Sequence, residues 1–523
     1  MRHESQDVIL CIDEGTSGTR AALVDAQGVV RCEAYEALRI DAPRPGTVEQ
    51  DAHEILDKTL AVCRASIAGA RRENKRIRAL GISTQRSSAV LWDARTGRAL
   101  VPVMVWQDTR YADELAELAR SWDEALVGRT GRPAGARSPY LWAARHLRET
   151  KIVAEAFERR RLRFGTIDSW LLWHLSTQGV VVTTPTNACS SGAYLMSSHA
   201  YYEDWIAALG FPRELLPELR EDASDLGRTK KALLDIDVPI LACMGDQHAG
   251  AIGLGCIDRS QALCVHGTGS FLNVITGPEM ITGPEGQAPD EARGGTLRVV
   301  ARRARGLSHF AVESSVPATG AALNWLCERL RWFDDASQID ALASTVRSAG
   351  GVVFIPALTG LRAPRLAPAA RASLSGIAMS TERAELAFAI LEGIAHSAAT
   401  CLELSEATAG IEVEELVVGG GLTASASLLQ MQANVTGLPI RTVRGSDTAS
   451  LRGVALMVGS SGLFWDSLGA ALTVLTTDAV FEPAMSEDAR MACRRRWTAR
   501  VDDELRHAGD AAATTSAKET RAC

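Results

Sequence analysis

Residues 8–25 read VILCIDEGTSGTRAALVD. Val8 to Asp13 has the composition of a buried strand, Arg20 to Asp25 reads as its hairpin partner, and the EGTSGT between them is rich in turn residues. Glycines in such a turn let backbone N–H groups approach an anion, and the hydroxyls of Thr16 and Ser17 add donors. Asp13, at the strand end, has the chemistry to hold Mg²⁺ through water, because magnesium takes one or two carboxylates plus phosphate. Read alone, the segment is equally a plain hairpin. Its repetition carries more weight. Ala262 to His266 and Ser270 to Ile275 flank Gly267-Thr268-Gly269 in the same way in the second half of the chain. Two such hairpins suggest a duplicated domain with phosphates held between the halves.

Around these hairpins, strand-like and helix-like stretches alternate, which argues for an α/β protein. Ile77–Ser83 and Ala89–Asp93 read as another strand pair, and Glu54–Ala70 and Arg383–Thr408 as helices. Val238–Met244 is an apolar strand ending in Gly245-Asp246-Gln247. A carboxylate there, at a strand end, can take a proton from a substrate hydroxyl, or can be an ordinary turn residue. Glu415–Val418 runs into Gly419-Gly420-Gly421, followed by a helix from about Ser425 to Thr436 and a strand at Pro439–Val443. A strand–glycine–helix turn suits close approach of a flat base or a phosphate, but the full G-x-G-x-x-G pattern is missing. The Gly-rich GAIGLG at 250–255 marks a domain boundary, its glycines serving a hinge or close packing. Residues 277–294, rich in Gly and Pro, read as a surface loop.

The 523 residues are long enough for two to four domains. With 46% hydrophobic and 23% charged residues, the chain can bury large cores. A net charge of -7 argues against nucleic acid as a partner, since neutralising phosphates takes clustered positive charge. The best apolar stretch, Leu463–Phe481, is broken by Asp466 and Asp478, so no membrane partner is expected. Eleven scattered cysteines without C-x-x-C spacing fit reduced thiols and a cytoplasmic location.

Taken in order, IDEGTSGTR (12–20), GISTQR (81–86), VWQDTR (105–110), FGTIDSWLLWHL (164–175), TNA (186–188), GDQ (245–247), GTGSF (267–271), GAALNWL (320–326), LEGIAH (391–396), GGGLTASASLLQMQA (419–433) and FEPAM (481–485) resemble the FGGY family of carbohydrate kinases, and within it most nearly the glycerol kinases. The resemblance implies two actin/hexokinase-like, ribonuclease H-like domains around a cleft. Residues 1–255 would carry the substrate pocket and first hairpin, 256–508 the nucleotide site, and 509–523 a disordered tail. It implies ATP and Mg²⁺, a polyol or sugar substrate, and a homodimer or homotetramer.

By the same resemblance Asp246 is the general base and Asp13 the carboxylate near the metal. Thr16, Ser17 and Arg20 form the first phosphate hairpin, and Gly267, Thr268 and Gly269 the second. Gly320 and Asn324 lie at the helix start beside the nucleotide, with Gly421 and Ser425 on the adenine side. Arg86, Trp106, Gln247 and Phe271 line the acceptor pocket. Two pocket positions depart from the family pattern. Ser87 stands where glycerol kinases carry Glu after the Arg, and offers one short hydroxyl in place of a carboxylate. Arg137 falls where they carry a Tyr; it either contacts an acidic or larger substrate or points to solvent, and the snorkelling habit of Arg favours solvent. Ser425 stands for an Asn. The expected reaction is ATP-dependent phosphorylation of glycerol or a related polyol or sugar, with a ketose, longer polyol or sugar acid as the alternative acceptor and an inactive nucleotide-binding regulator as a third reading.

Overall fold

The computed structural model describes residues 6–281 and 295–522, with side chains as far as 509. The first sheet is built from β1 (Asp7–Glu14), β2 (Gly18–Asp25), β3 (Val30–Ala37), β4 (Arg76–Thr84) and β5 (Ile240–Gly245), in the order β5-β4-β1-β2-β3. β1, β2 and β3 are antiparallel neighbours; β4 and β5 are parallel to β1. The second sheet contains β6 (Gln261–His266), β7 (Ser270–Gly277), β8 (Leu297–Ala304), β9 (Leu307–Val316), β10 (Glu415–Gly419), β11 (Ile440–Val443) and β12 (Thr477–Phe481), in the order β8-β9-β7-β6-β10-β11-β12. Its inner run β9-β7-β6-β10-β11 repeats the strand order and directions of the first sheet, with β8 and β12 added at the edges. The duplication expected from the two hairpins is therefore a duplication of whole sheets.

Helices close the layers. α1 (Ala52–Arg72), capped by Asp51, buries Ile55, Leu56, Cys63 and Ile67 against one face of the first sheet. On the second sheet the same place is taken by α4 (Arg383–Ala409) and α5 (Ala426–Thr436), which pack Ala398, Leu402, Leu429 and Ala433 on Ala262, Cys264 and Val274. α4 is apolar and long enough to cross a membrane, but it is a core helix and mostly buried. Between the sheets lie α2 (Asp246–Gly253) and α6 (Ala449–Gly459). Ala249 and Ile252 of α2 join Val454 and Val458 of α6 on the first sheet, while Ala251 and Leu254 face the second. A helix from the second half thus completes the core of the first, so a cut at 255 does not separate two cores.

The crossing of α2 and α6 explains Gly253 in the 250–255 stretch and its counterpart Gly453. A Cβ on Gly253 would stand 1.9 Å from the Ala449 carbonyl oxygen, and one on Gly453 would stand 1.7 Å from that of Ala249. Backbones this close leave no room for a methyl group. Gly453→Ala is expected to cost about 1–3 kcal/mol or more through forced separation of the helices. Gly128→Ala, in helix Ala112–Thr130 where a Cβ meets nothing within 4 Å, should be neutral or stabilising. Thermal melts of the two variants check this.

Three local expectations change. Ala89–Asp93 does not pair with Arg76–Thr84; it leaves the first sheet and pairs antiparallel with Leu162–Thr166 in a peripheral sheet. The cause is the turn between them, where Ser87 adopts φ 65 and redirects the chain. The last helix, α7, runs Glu487–Ala522, so the backbone from 509 continues it where composition alone gives a disordered tail; alanine, the best helix former, is frequent there. Of the expected 277–294 loop, residues 282–294 lie outside the described residues.

Candidate active site

The parallel strands bring the chemistry to one edge. Asp13 of β1 lies beside Ser83 of β4, which lies beside Met244 of β5, and Asp246 begins α2 just beyond. Ligand sites in open α/β sheets form outside such carboxyl ends. The Asp246 side chain is 28% exposed, so a substrate can reach it. Its Oδ1 accepts a hydrogen bond from the Gln247 N–H at 2.7 Å and lies 3.7 Å from Arg86 Nε. Burial raises its pKa, opposed by the Arg86 charge and the Gln247 bond. A carboxylate so raised is a better proton acceptor near neutral pH.

Arg86 is held on three sides. Its Nη2 pairs with Glu313 Oε2 at 2.9 Å, its Nη1 donates to Ser190 Oγ at 3.2 Å, and its Nε faces Asp246. Gly245 makes this possible, because a Cβ there would stand 2.7 Å from Arg86 Cδ. Glu313 was not among the residues sequence reading selects. Burial pushes its pKa up, but Arg86, His248 and Arg132 outweigh burial and hold it below the ordinary value. The signal was available: a lone carboxylate in FAVESSV (310–316), an otherwise uncharged strand.

Asp13 accepts from Ser83 Oγ at 2.9 Å. Burial first, and then the charge of Asp246, raise it to about 6, against the Ser83 bond and Arg20. Its neighbour Glu14 is fully buried; burial lifts it to about 8, so it is largely a neutral acid at pH 7, hydrogen-bonded by Thr59.

The first hairpin closes through Gly15 N–H to Gly18 C=O at 3.0 Å. Thr16 Oγ1 accepts from Trp106 Nε1 at 2.8 Å, tying hairpin to pocket, while Ser17 is exposed at the tip. Arg20 reaches the Asp447 carbonyl at 3.1 Å and Glu33 at 3.4 Å, and so bridges the halves. In the second hairpin Gly267 N–H donates to Gly269 C=O at 2.9 Å, and the Gly267 and Thr268 carbonyls accept from Thr319, Gly320 and Ala321 at the start of α3 (Gly320–Asn324). A Cβ on Gly320 would stand 2.4 Å from Gly267 O, which is why glycine begins this helix. Thr268 and Asn324 are exposed. Behind the hairpin, His266 bonds Ser270 Oγ at 2.6 Å and Gln432 Oε1 at 3.0 Å, anchoring it to α5.

At the third turn Gly420 has φ +89 and a Cβ there would meet His266 O at 2.3 Å, whereas Gly421 faces open space. Ser425 is the N-cap of α5: it accepts from Leu428 N–H and donates to Asp340 Oδ1 at 2.5 Å. Its hydroxyl is already committed to those partners, which argues against its expected role toward adenine.

In the acceptor region Trp106 and Phe271 are half-buried, and Gln247 Oε1 is buried with no hydrogen-bond partner among the described residues. Ser87 does not belong to this group. It is fully buried and its Oγ donates to the Ser190 carbonyl at 2.6 Å, because the left-handed turn points it into the protein. Arg137 also differs from expectation. Its guanidinium lies over the Trp106 ring at 5.8 Å and its Nε is buried, so it turns inward to the pocket rather than to solvent.

Two duplicated sheets, an amide-lined hairpin on each, and a reachable carboxylate at a strand end define a phosphotransferase of the actin and sugar-kinase fold. Family models agree: the N-terminal domain of the FGGY family of carbohydrate kinases matches residues 8–253 and its C-terminal domain residues 262–461. The chain belongs to the FGGY family of carbohydrate kinases. It is 33% identical to glycerol kinase of Deinococcus radiodurans over 490 residues, covering 94% of this chain and 96% of that protein. It is 34% identical to glycerol kinase of Dechloromonas aromatica over 509 residues, covering 97% and 99%. The crystal structure of Plasmodium falciparum glycerol kinase with ADP superposes with a TM-score of 0.89 at 25% identity, over 97% of this chain and 99% of that one. A gluconate kinase from Lactobacillus acidophilus shares the fold, with a TM-score of 0.81 at 20% identity over 96% and 98%. The chain is thus an ATP-using phosphotransferase with an alcohol group as acceptor.

Proposed function

We propose that the chain transfers the γ-phosphoryl group of ATP to a hydroxyl of glycerol or a related polyol or sugar, with Asp246 as the general base. The observation that carries this reading is the position of Asp246: partly exposed at the end of β5, beside Arg86 and next to the unpartnered Gln247 Oε1. The acceptor O–H proton passes to the Asp246 carboxylate as its oxygen forms the new bond to phosphorus. The bond from phosphorus to the β–γ bridging oxygen breaks, and ADP leaves. Backbone N–H groups of the Gly15–Gly18 and Gly267–Gly269 turns hold phosphate oxygens from the two sides, which suits a reaction that depends on positioning and charge stabilisation.

Asp13 fits Mg²⁺. It is a carboxylate with a raised pKa, the charge of Asp246 acts on it, and among the described residues its side chain accepts a hydrogen bond from Ser83. Asp13 would hold the ion through water, and the ion supplies charge neutralisation at the phosphate oxygens.

ADP release from Mg-ATP with glycerol, erythritol, xylitol, ribulose, xylulose and gluconate tests the reading; ATP binding without release for any acceptor would overturn it. A pH dependence follows from Asp13. Its carboxylate protonates as pH falls through about 6, so kcat/KM for Mg-ATP should fall in that range. Raising Mg²⁺ should move the acid limb to lower pH, because the cation favours the ionised form. A limb insensitive to Mg²⁺ would remove Asp13 from metal binding.

A further inference from the structure

The acceptor pocket holds more positive charge than its carboxylates balance. Arg86, Arg132 and Arg137 converge there, with the exposed Arg362 near them. Glu313 and Asp246 both face Arg86. Arg132 Nη1 donates to the Cys189 carbonyl at 3.0 Å. Arg137 is different: among the described residues its guanidinium has neither a hydrogen-bond nor an ion-pair partner, and its Nε is buried. Among the described residues the Trp106 ring lies against it, at 5.8 Å, and the side chain is only partly buried, so its terminal nitrogens stay open to a ligand. Burial, then the charges of Arg132, Arg362 and Arg86, pull its pKa down to about 9, with Glu313 opposing. Such a guanidinium is a site short of an anion.

Trp106 fixes where that anion would sit. The same indole that lies under Arg137 donates to Thr16 of the first hairpin, so Arg137 faces the space into which the acceptor must fit. A neutral polyol offers Arg137 only hydroxyl oxygens. A carboxylate matches its planar fork of donors and neutralises the charge. We propose that the acceptor is a polyhydroxy carboxylate, an aldonate, whose carboxylate pairs with Arg137 while one of its hydroxyls faces Asp246. This rests on the kinase reading above and narrows its substrate class.

The test compares ADP release by the full-length protein with Mg-ATP for matched pairs: glycerate against glycerol, erythronate against erythritol, gluconate against glucitol, with glycerol phosphate as a second anion. At least one aldonate should exceed its polyol in kcat/KM by about 10-fold or more. Arg137→Gln should lower that aldonate-to-polyol ratio by about 10- to 100-fold, the range of a lost hydrogen bond to a charged group. Arg137→Lys should restore part of it, and thermal melts establish that both variants are folded. Polyols preferred throughout by the unmodified protein, or an unchanged ratio in folded Arg137→Gln, would overturn the proposal while leaving the kinase reading intact. Preference for glycerol phosphate over every aldonate would overturn the carboxylate assignment. Silence with every acceptor would remove the kinase reading and this proposal with it. The preference of the unmodified protein decides the matter even if the variants fail to fold.

Discussion

Asp246→Asn is expected to reduce phosphoryl transfer by about 10²–10⁴-fold, the usual worth of a positioned general base, and to leave ATP binding within a factor of two or so of the original. The substitution is nearly isosteric. The amide oxygen can still accept from the Gln247 N–H, so the start of α2 should keep its geometry. What is lost is the capacity to take a proton. ADP release and calorimetric ATP binding separate the two effects; turnover comparable to the original would sink the assignment. A second readout distinguishes lost chemistry from a disturbed fold. The charge of Asp246 helps raise the Asp13 pKa to about 6. Removing that charge should move Asp13 downward, which carbonyl NMR or the acid limb of ATP binding can follow.

How far the sequence reaches is set by the range of the contacts that decide each feature. The two hairpins are strand–turn–strand units within a few residues of one another, and their apolar flanks and glycines announce them. The three carboxyl ends that bring Asp13 and Asp246 together follow from parallel pairing of Val8–Asp13, Ile77–Ser83 and Val238–Met244, all visible as apolar runs. The features that sequence reading missed are long-range. Nothing local joins Arg86 to Glu313, which approach only when the second sheet docks against the first. The inward turn of Arg137 depends on Trp106, and the burial of Ser87 on the Ser190 carbonyl. Ser425 is spent on capping because Asp340 is brought to it by a helix far earlier in the chain. The mistaken pairing of Ala89–Asp93 has the same origin: an apolar strand close in sequence is a natural partner until one turn residue with positive φ sends it elsewhere.

Arg86→Gln should damage stability and activity together, and pH separates the two. Arg86 is 12% exposed and Glu313 7%, so the pair is largely out of water. Removing one member of such a pair costs about 3–5 kcal/mol, because the other charge stays buried without its counter-ion. In the unmodified protein Glu313 is held below its ordinary pKa; it contributes stability present above the unfolded value and lost as pH falls through the folded one. Without Arg86 the effect of burial dominates and the folded pKa should rise above the unfolded value. The sign then reverses: stability is full below the unfolded pKa and declines as pH rises through the folded one. The gap in melting temperature between variant and parent should therefore be small in acid and widen toward neutral pH. Glu313→Gln added to Arg86→Gln should recover most of the stability, since no carboxylate is then stranded against Arg86's place. It should not recover kcat, because Asp246 still lacks the guanidinium 3.7 Å away whose charge opposes the burial-driven rise of its pKa and orients the carboxylate. A double variant that regained turnover along with stability would mean that Arg86 serves the fold alone, and would remove it from the acceptor site.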